Sequence, residues 1–281
     1  DLKGTWLKSF DADIFVLFDY EKFKDKSQKI SDIIEKHLKN KKLGKLERIH
    51  GSRDYFQIRK EDMTIEIIPL LNIKNETQAK NITDISQLHS KWVKKNSKGK
   101  LKNEIRLTKQ FCKANGIYGA ESYIQGLSGY VCEILTIKFG SFLKLVKAAS
   151  KWKDQTVIDV ENFYKGKDVN RELNQSKLVS PLIIIDPVQK SRNAGAAISD
   201  EKFEFFIDSC KKFIKKPNRS FFEIKKINID ELKKDFKNKV IVKVEVVPVK
   251  KGKRDVVGSS LLKAFDFLVK ESLKYGFKII D

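Results

Sequence analysis

Apolar residues along this chain follow two periodicities, which predict a mixture of strands and helices. Continuous β-branched and aromatic runs predict buried strands at Asp13–Phe18, Thr64–Leu70 and Leu182–Pro187. Further apolar runs predict strands at 46–50, 55–59, 240–249 and 277–280. Other segments have the apolar spacing or the terminal residues of helices, and we predict helices at 20–39, 104–114, 129–139, 141–152, 203–214 and 259–274.

Cap and turn residues divide these elements into groups. Ser128 is an N-cap candidate for the helix that follows it, and Gly140 is a stop for the same helix. Lys216-Pro217-Asn218 is the best linker candidate. We therefore predict an α+β fold with three parts, which are a small α/β head over residues 1–90, a helical central domain over 91–217 and the start of an α/β body domain over 218–281.

Three carboxylates in the predicted head point to metal chemistry. Asp11 and Asp13 alternate along the first strand, so their side chains share one face, and Glu66 lies in a second apolar strand. If the two strands pair, three acidic groups meet, and a divalent cation would relieve their repulsion. Hard Mg²⁺ prefers carboxylate oxygen. This arrangement suits phosphoryl or nucleotidyl transfer with two metal ions.

Charge is distributed unevenly between the head and the rest of the chain. The 281 residues carry a net charge of +21, of which residues 1–90 carry +2 and residues 91–281 carry +19. A cation excess of this size favours a polyanionic partner such as RNA or DNA. A solubilising, lysine-rich surface is the plainer alternative. The concentration of charge away from the acidic residues favours the polyanion.

Cysteine and histidine usage argues against a zinc site or a disulfide framework. Cys112, Cys132 and Cys210 lie far apart in apolar segments without a C-x-x-C motif, and only three histidines are present. We expect core thiols in a reducing cytoplasm. No apolar run approaches the ~20 residues that span a bilayer, so we expect no membrane association.

A series of short motifs connects the chain to a known family. The motifs are Lys3-Gly4-Thr5-Trp6-Leu7 with Asp11-x-Asp13, Lys91-Trp92, 103–107 (NEIRL), 113–121 (KANGIYGAE), 126–133 (GLSGYVCE), 140–142 (GSF), 156–160 (TVIDV) and Asp186-Pro187-Val188 with Arg192-Asn193. Together they resemble the archaeal-type (class I) CCA-adding enzymes, which are tRNA nucleotidyltransferases of the polymerase-β superfamily. The resemblance runs through nearly the whole chain, and the block at 114–133 is highly specific.

This resemblance implies a polymerase-β-like catalytic head, a helical neck and a reaction that uses two metal ions. By resemblance, Asp11 and Asp13 would hold both Mg²⁺ ions, and Glu66 would complete the one that activates the tRNA 3′-hydroxyl. The family usually has Asp where this chain has Glu66. The resemblance also implies truncation at both ends, with the Gly-Ser pair that holds the triphosphate lying before Asp1 and a tail domain lying after Asp281.

Five further positions match nucleotide contacts of the family. Ser86, His89, Lys109 and Tyr118 would contact the nucleotide, mainly its triphosphate and sugar, and Arg192 would recognise the base of C or A. Plainer roles exist for three of them: His89 as a surface histidine, Lys109 as one lysine among many on a basic helix, and Tyr118 as a packing residue.

The resemblance favours an enzyme that adds C, C and A to the 3′ end of tRNA from CTP and ATP. One alternative is a poly(A)-polymerase-like or oligoadenylate-synthase-like transferase, and another is a non-catalytic RNA-binding remnant. The sequence does not decide the oligomeric state and leaves a homodimer open.

Overall fold

A four-stranded sheet forms the first part of the fold. The computed structural model describes residues 12–39, 41, 45–60, 63–224, 246–247 and 254–277. The strands are β1 (Ala12–Phe18), β2 (Leu46–Ile49), β3 (Tyr55–Lys60) and β4 (Met63–Leu71). Their order is β1-β4-β3-β2, with β1 parallel to β4 and the other pairs antiparallel.

Strand β1 is half exposed, although its apolar sequence predicted a buried strand. Ile14 is 49% exposed and Leu17 is 45% exposed. These side chains are exposed because β1 lies at the edge of the sheet and pairs only with β4 among the described strands. An apolar run therefore marked a strand correctly but did not specify its place in the sheet.

The helix predicted over residues 20–39 is interrupted. The structure has α1 (Tyr20–Phe23), a 3₁₀ segment (Lys24–Lys29) and α2 (Ile30–Lys39), with a non-helical backbone at Lys26. The 3₁₀ segment contains no apolar residue that could pack on the sheet. In contrast, α2 places Ile34 and Leu38 against a core formed by Phe56, Ile58 and Ile67.

A buried ion pair joins the sheet to the next helix, α3 (Ser86–Asn96). Arg53, between β2 and β3, pairs with Asp84, whose side chain is fully buried. Asp84 also accepts a hydrogen bond from the backbone N–H of Leu71 at the end of β4 (2.9 Å). Helix α3 therefore begins at a defined place against the sheet. It runs across position 90, and the domain boundaries stay a prediction.

Helices and a small second sheet form the central part. The helices are α4 (Leu101–Ala114), α5 (Gly129–Phe139), α6 (Phe142–Ala149), α7 (Val169–Glu172) and α8 (Asp200–Lys215), and the strands are β5 (Thr156–Asp159), β6 (Leu182–Asp186) and β7 (Gln189–Asn193). Strand β6 lies between β5 (parallel) and β7 (antiparallel), and all five of its residues are buried. The expected caps of α5 are present, with the Ser128 hydroxyl accepting from the Val131 N–H and Gly140 left-handed at φ 76°.

Aromatic side chains dominate the central core. Phe111 is fully buried, and rings of α6, α8 and the segment after the predicted linker surround it, namely Phe142, Phe206, Phe213, Phe221 and Phe222. The segment that follows Lys216-Pro217-Asn218 thus packs back onto the helices. Cys112, Cys132 and Cys210 are free and buried, which confirms the expectation of core thiols.

The last described helix, α9 (Arg254–Lys274), begins five residues before the predicted start. It contacts the loop after α4, where Asp255 accepts hydrogen bonds from the backbone N–H and the hydroxyl of Ser122 (2.8 and 2.9 Å). The strands predicted at 240–249 and 277–280 lie almost entirely outside the described residues. Among the described helices, none has the length and apolar character needed to cross a membrane.

Truncation of Phe111 should destabilise the central part strongly. Phe111→Ala removes a fully buried ring from an aromatic cluster, so we expect a loss of about 3–5 kcal/mol in the free energy of unfolding. Urea denaturation would measure it. Leu143→Ala, at a position of α6 that is 47% exposed, is the control and should cost far less. Equal losses in the two variants would contradict this description of the core.

Candidate active site

Asp13 and Glu66 lie side by side on the first sheet. The parallel pairing of β1 with β4 places Asp13 directly opposite Glu66, so both side chains leave the sheet on the same face. The neighbouring residue Ile67 points to the other face, into the core against α2. The local alternation of each strand determines the face, and the pairing register brings the two acids together. Asp11, the third predicted acid, lies outside the described residues.

The same row of the sheet continues with a polar residue that supports Glu66. Gln57 of β3 is the register partner of Glu66, and its Nε2 donates a 2.6 Å hydrogen bond to Oε1 of Glu66. Burial, together with the charges of Glu66 and Asp13, raises the pKa of the Tyr55 hydroxyl. The Tyr55 hydroxyl therefore lies close enough to both carboxylates for their charges to affect its pKa.

The donor set of this site suits a divalent cation. Two carboxylates on adjacent strands offer hard oxygen ligands, which Mg²⁺ prefers over nitrogen or sulfur. Within the described ranges, no group of three or more His, Cys, Asp or Glu residues could hold a metal ion. The predicted set needs Asp11 as its third member, and Asp11 is outside those ranges.

A second group of residues, the Asp186 cluster, joins two of the predicted nucleotide contacts. It consists of Asp186, His89, Tyr130, Val188 and Arg192. Oδ2 of Asp186 lies 2.5 Å from Nη1 of Arg192 and 3.1 Å from Nε2 of His89. Oδ1 accepts hydrogen bonds from the Val188 N–H (2.9 Å) and the Tyr130 hydroxyl (3.3 Å). The His89 and Tyr130 rings lie 4.3 Å apart.

The electrostatics of this cluster favour an ionised Asp186. Burial is the largest effect and would raise the pKa of Asp186. However, His89, the backbone N–H of Val188 and the charge of Arg192 together outweigh burial, so the pKa lies below its ordinary value. Burial and the charge of Asp186 raise the pKa of the Tyr130 hydroxyl, which keeps it protonated as a donor.

A third group lies at the N-terminus of α5 and contains Lys109 and Tyr118. Nζ of Lys109 donates to Oε1 of Glu133 at 2.8 Å, and both side chains are buried. A Cβ atom at position 129 would lie 2.8 Å from the Tyr118 hydroxyl oxygen, so a larger residue there would displace the tyrosine. A hydroxyl, a helix N-terminus and a lysine whose charge is paired with Glu133 thus meet, and the helix N-terminus favours anions.

Ser86 is the first residue of α3 and is half-buried. It precedes His89 by one helical turn, so the two side chains share a face of α3. The structure thus brings the predicted residues together in pairs: Asp13 with Glu66, His89 with Arg192, and Lys109 with Tyr118.

Comparisons with known proteins identify the family. Residues 103–223 match the family model described as tRNA nucleotidyltransferase, second domain. The CCA-adding enzyme of Nanoarchaeum equitans is 44% identical over 245 residues, covering 84% of this chain and 61% of that enzyme. The CCA-adding enzyme of Archaeoglobus fulgidus is 33% identical over 291 residues, covering 98% of this chain and 62% of that enzyme. The chain belongs to the tRNA nucleotidyltransferase family of the archaeal CCA-adding enzymes.

The chain spans about three fifths of the length of these two relatives. Nucleotidyltransferases related to this family generally use divalent metal ions.

More distant similarity appears in solved structures. A cytoplasmic RNA terminal U-transferase matches with a TM-score of 0.57 at 14% identity, covering 80% of this chain and 84% of that one. The Cid1 poly(U) polymerase matches with a TM-score of 0.56 at 13% identity, covering 79% and 83%. These likenesses confirm the predicted α+β, polymerase-β-like fold.

Sequence reasoning missed three residues that organise this family member's site, namely Tyr130, Glu133 and Asp186. Glu133 accepts a hydrogen bond from Lys109 and Asp186 accepts one from Arg192, whereas Tyr130 donates to Asp186 and lies against the His89 ring. One signal was available for Asp186, because a single carboxylate ends an otherwise apolar strand. Tyr130 and Glu133 lie on a mostly apolar helix and were marked only by their place in the family motif at 126–133.

Lowering the pH should remove the stabilisation that ionised Asp186 provides. Its folded pKa lies below the ordinary value of 3.8, so its contribution is complete above that value and is lost as the pH falls through the folded pKa. We expect the difference in unfolding free energy between the wild type and Asp186→Asn to narrow from pH 6 to about pH 2. Urea denaturation across this range would measure it. A constant difference would contradict an ionised, stabilising Asp186.

Proposed function

We propose that this chain is the catalytic part of a template-independent nucleotidyltransferase that adds C, C and A to the 3′ end of tRNA from CTP and ATP. The observation that carries the proposal is the pairing of Asp13 with Glu66 on adjacent parallel strands, in a chain of the CCA-adding family. The names of the relatives do not favour the poly(A)-polymerase-like or oligoadenylate-synthase-like alternative. We propose a cytoplasmic location on the same basis.

Asp13 and Glu66, with Asp11, would hold Mg²⁺. When bound, two such ions lower the pKa of the attacking 3′-hydroxyl and neutralise the charge of the leaving pyrophosphate. Gln57 restrains Glu66 through its hydrogen bond, so the longer glutamate chain keeps a defined position where relatives usually have Asp. Tyr55 stays protonated beside the acids, since burial and both negative charges raise its pKa.

The other two groups would bind the incoming nucleotide. Lys109, Tyr118 and the N-terminus of α5 together favour the triphosphate, because each offers a donor or positive potential to phosphate oxygens. His89 and Ser86 present a ring and a hydroxyl on one face of α3 for the sugar and phosphates. Arg192 remains 40% exposed after its contact with Asp186, so its other N–H groups can reach a base.

Nucleotide addition should depend on both sheet acids. Asp13→Asn and Glu66→Gln each remove a metal-binding charge, so we expect the rate of CTP and ATP incorporation into a tRNA that lacks its CCA end to fall at least about a hundredfold. Glu66→Asp, which restores the usual residue, should keep most of the activity. Radiolabelled incorporation would measure the rates.

Glu47→Gln is the matched control for these acids. Glu47 lies in the same row of the sheet, opposite Gln57 and two strands from Glu66. Its loss should leave incorporation nearly unchanged, and tRNA binding should persist in all variants. Activity that survives in Asp13→Asn, or that falls equally in Glu47→Gln, would contradict the proposed metal site.

Affinity for tRNA should fall steeply with salt. If the +19 charge of residues 91–281 contacts phosphates, log Kd should change with log salt by about 0.7–0.9 per neutralised phosphate. Filter binding between 50 and 300 mM KCl would measure the slope. A slope near zero would mean that the charge serves solubility only.

Light scattering on the same sample would test whether the chain forms a homodimer.

A further inference from the structure

Asp186 is buried in a way that requires several partners. It ends β6, its side chain has no exposed surface, and the four preceding residues are apolar and buried. A buried carboxylate is unfavourable unless hydrogen bonds and opposite charges compensate for its lost hydration. The compensation here comes from side chains of α3, α5 and β7 and from the backbone after β6.

The two oxygens of Asp186 divide these partners in a way that restrains Arg192. Oδ2 lies between Nη1 of Arg192 (2.5 Å) and Nε2 of His89 (3.1 Å). Oδ1 is held in place by Val188 and Tyr130. A guanidinium is planar, so anchoring one nitrogen to a fixed carboxylate limits the orientations of the remaining donors. Without that anchor, a long and 40% exposed arginine would sample many rotamers.

Base recognition without a template places a strict requirement on the orientation of the Arg192 guanidinium. C and A share an amino group beside an unprotonated ring nitrogen on their Watson–Crick edges, whereas U and G have a protonated nitrogen there. An arginine N–H can donate to the unprotonated nitrogen only if it points along the base plane. The direction of the guanidinium therefore affects selectivity as well as affinity.

We infer that Asp186 is a positioning residue for nucleotide selection, which holds Arg192 and His89 in one arrangement without itself touching the nucleotide. This inference rests on the proposed function. The observations that carry it are the complete burial of Asp186 and the convergence on it of two side chains that match nucleotide contacts.

The decisive experiment compares Asp186→Asn, Arg192→Ala and the double variant. Incorporation of CTP and ATP, and misincorporation of UTP and GTP, would give the selectivity of each as a ratio of kcat/KM values. We expect Asp186→Asn to reduce selectivity about tenfold, and Arg192→Ala to reduce it about ten- to hundredfold. The double variant should lose no more selectivity than Arg192→Ala alone, because both substitutions disrupt the same arrangement of Arg192 on Asp186. Unchanged selectivity in Asp186→Asn, or losses that multiply, would overturn the inference.

Asp159→Asn is the matched control. Asp159 ends β5, pairs in register with Ile185 on β6, and accepts a hydrogen bond from the backbone N–H of Tyr164 (2.8 Å). It therefore tests the loss of a carboxylate at the end of the neighbouring strand, and its selectivity should match the wild type. A tenfold loss in this control would show a general effect of strand-end carboxylates and would also overturn the inference.

Calorimetric titration with CTP separates this inference from the proposed function. We expect Asp186→Asn to weaken CTP binding about tenfold and Asp159→Asn to leave it unchanged. If the wild type binds CTP but adds nothing to tRNA, the proposed function fails while the titration still decides the role of Asp186. Equal CTP affinity in Asp186→Asn and the wild type, or no CTP binding by the wild type, counts against the inference.

A further variant keeps the test valid if Asp186→Asn does not fold. Tyr130→Phe removes one hydrogen bond to Asp186 and leaves its charge in place. We expect CTP binding to weaken two- to fivefold with circular dichroism unchanged. Wild-type affinity and selectivity in Tyr130→Phe, together with an unfolded Asp186→Asn, would indicate a purely structural Asp186 and overturn the inference.

Discussion

The buried ion pair between Arg53 and Asp84 determines how the first sheet meets the helices. Arg53 lies in the connection between β2 and β3, and Asp84 also binds the N–H of Leu71 at the end of β4. Helix α3 starts two residues after Asp84, so its direction depends on this contact. The same helix carries His89 to Asp186 on the second sheet. This ion pair therefore helps to position the Asp13–Glu66 pair relative to the Asp186 cluster.

Buried carboxylates recur as the organising groups of this molecule. Asp84, Glu133 and Asp186 are each buried, and each has a basic partner on a different element of the fold. Removing one partner of such a pair typically costs about 3–5 kcal/mol, because the other charge stays buried. These contacts consequently restrict how the elements can rearrange. The Asp186 cluster, which is assembled from such contacts, therefore has little freedom to change shape.

Proteins with this fold differ in the nucleotide that their names state. The terminal U-transferase and the poly(U) polymerase share the architecture at 13–14% identity, whereas the CCA-adding enzymes of Nanoarchaeum and Archaeoglobus share 33–44% of the sequence. A common fold alone does not select the nucleotide. The residues that we propose for nucleotide selection lie outside the first sheet, in α3, α5, β6 and β7.

Local patterns in the sequence determined those parts of the structure that depend on neighbouring residues. Strand alternation specified that Asp13 and its neighbour Ile14 face opposite sides, and the Ser128 and Gly140 caps specified both ends of α5. Motifs of the family predicted which residues belong to the site, and that assignment stays a prediction. Only tertiary structure decided that Asp13 lies opposite Glu66, that β1 is an exposed edge and that the helix after it breaks near Lys26. Tertiary structure also brought His89, Tyr130 and Arg192 to Asp186, across nearly a hundred residues of chain. No local signal encodes that convergence, because it follows from packing α3, α5 and the second sheet around one buried charge.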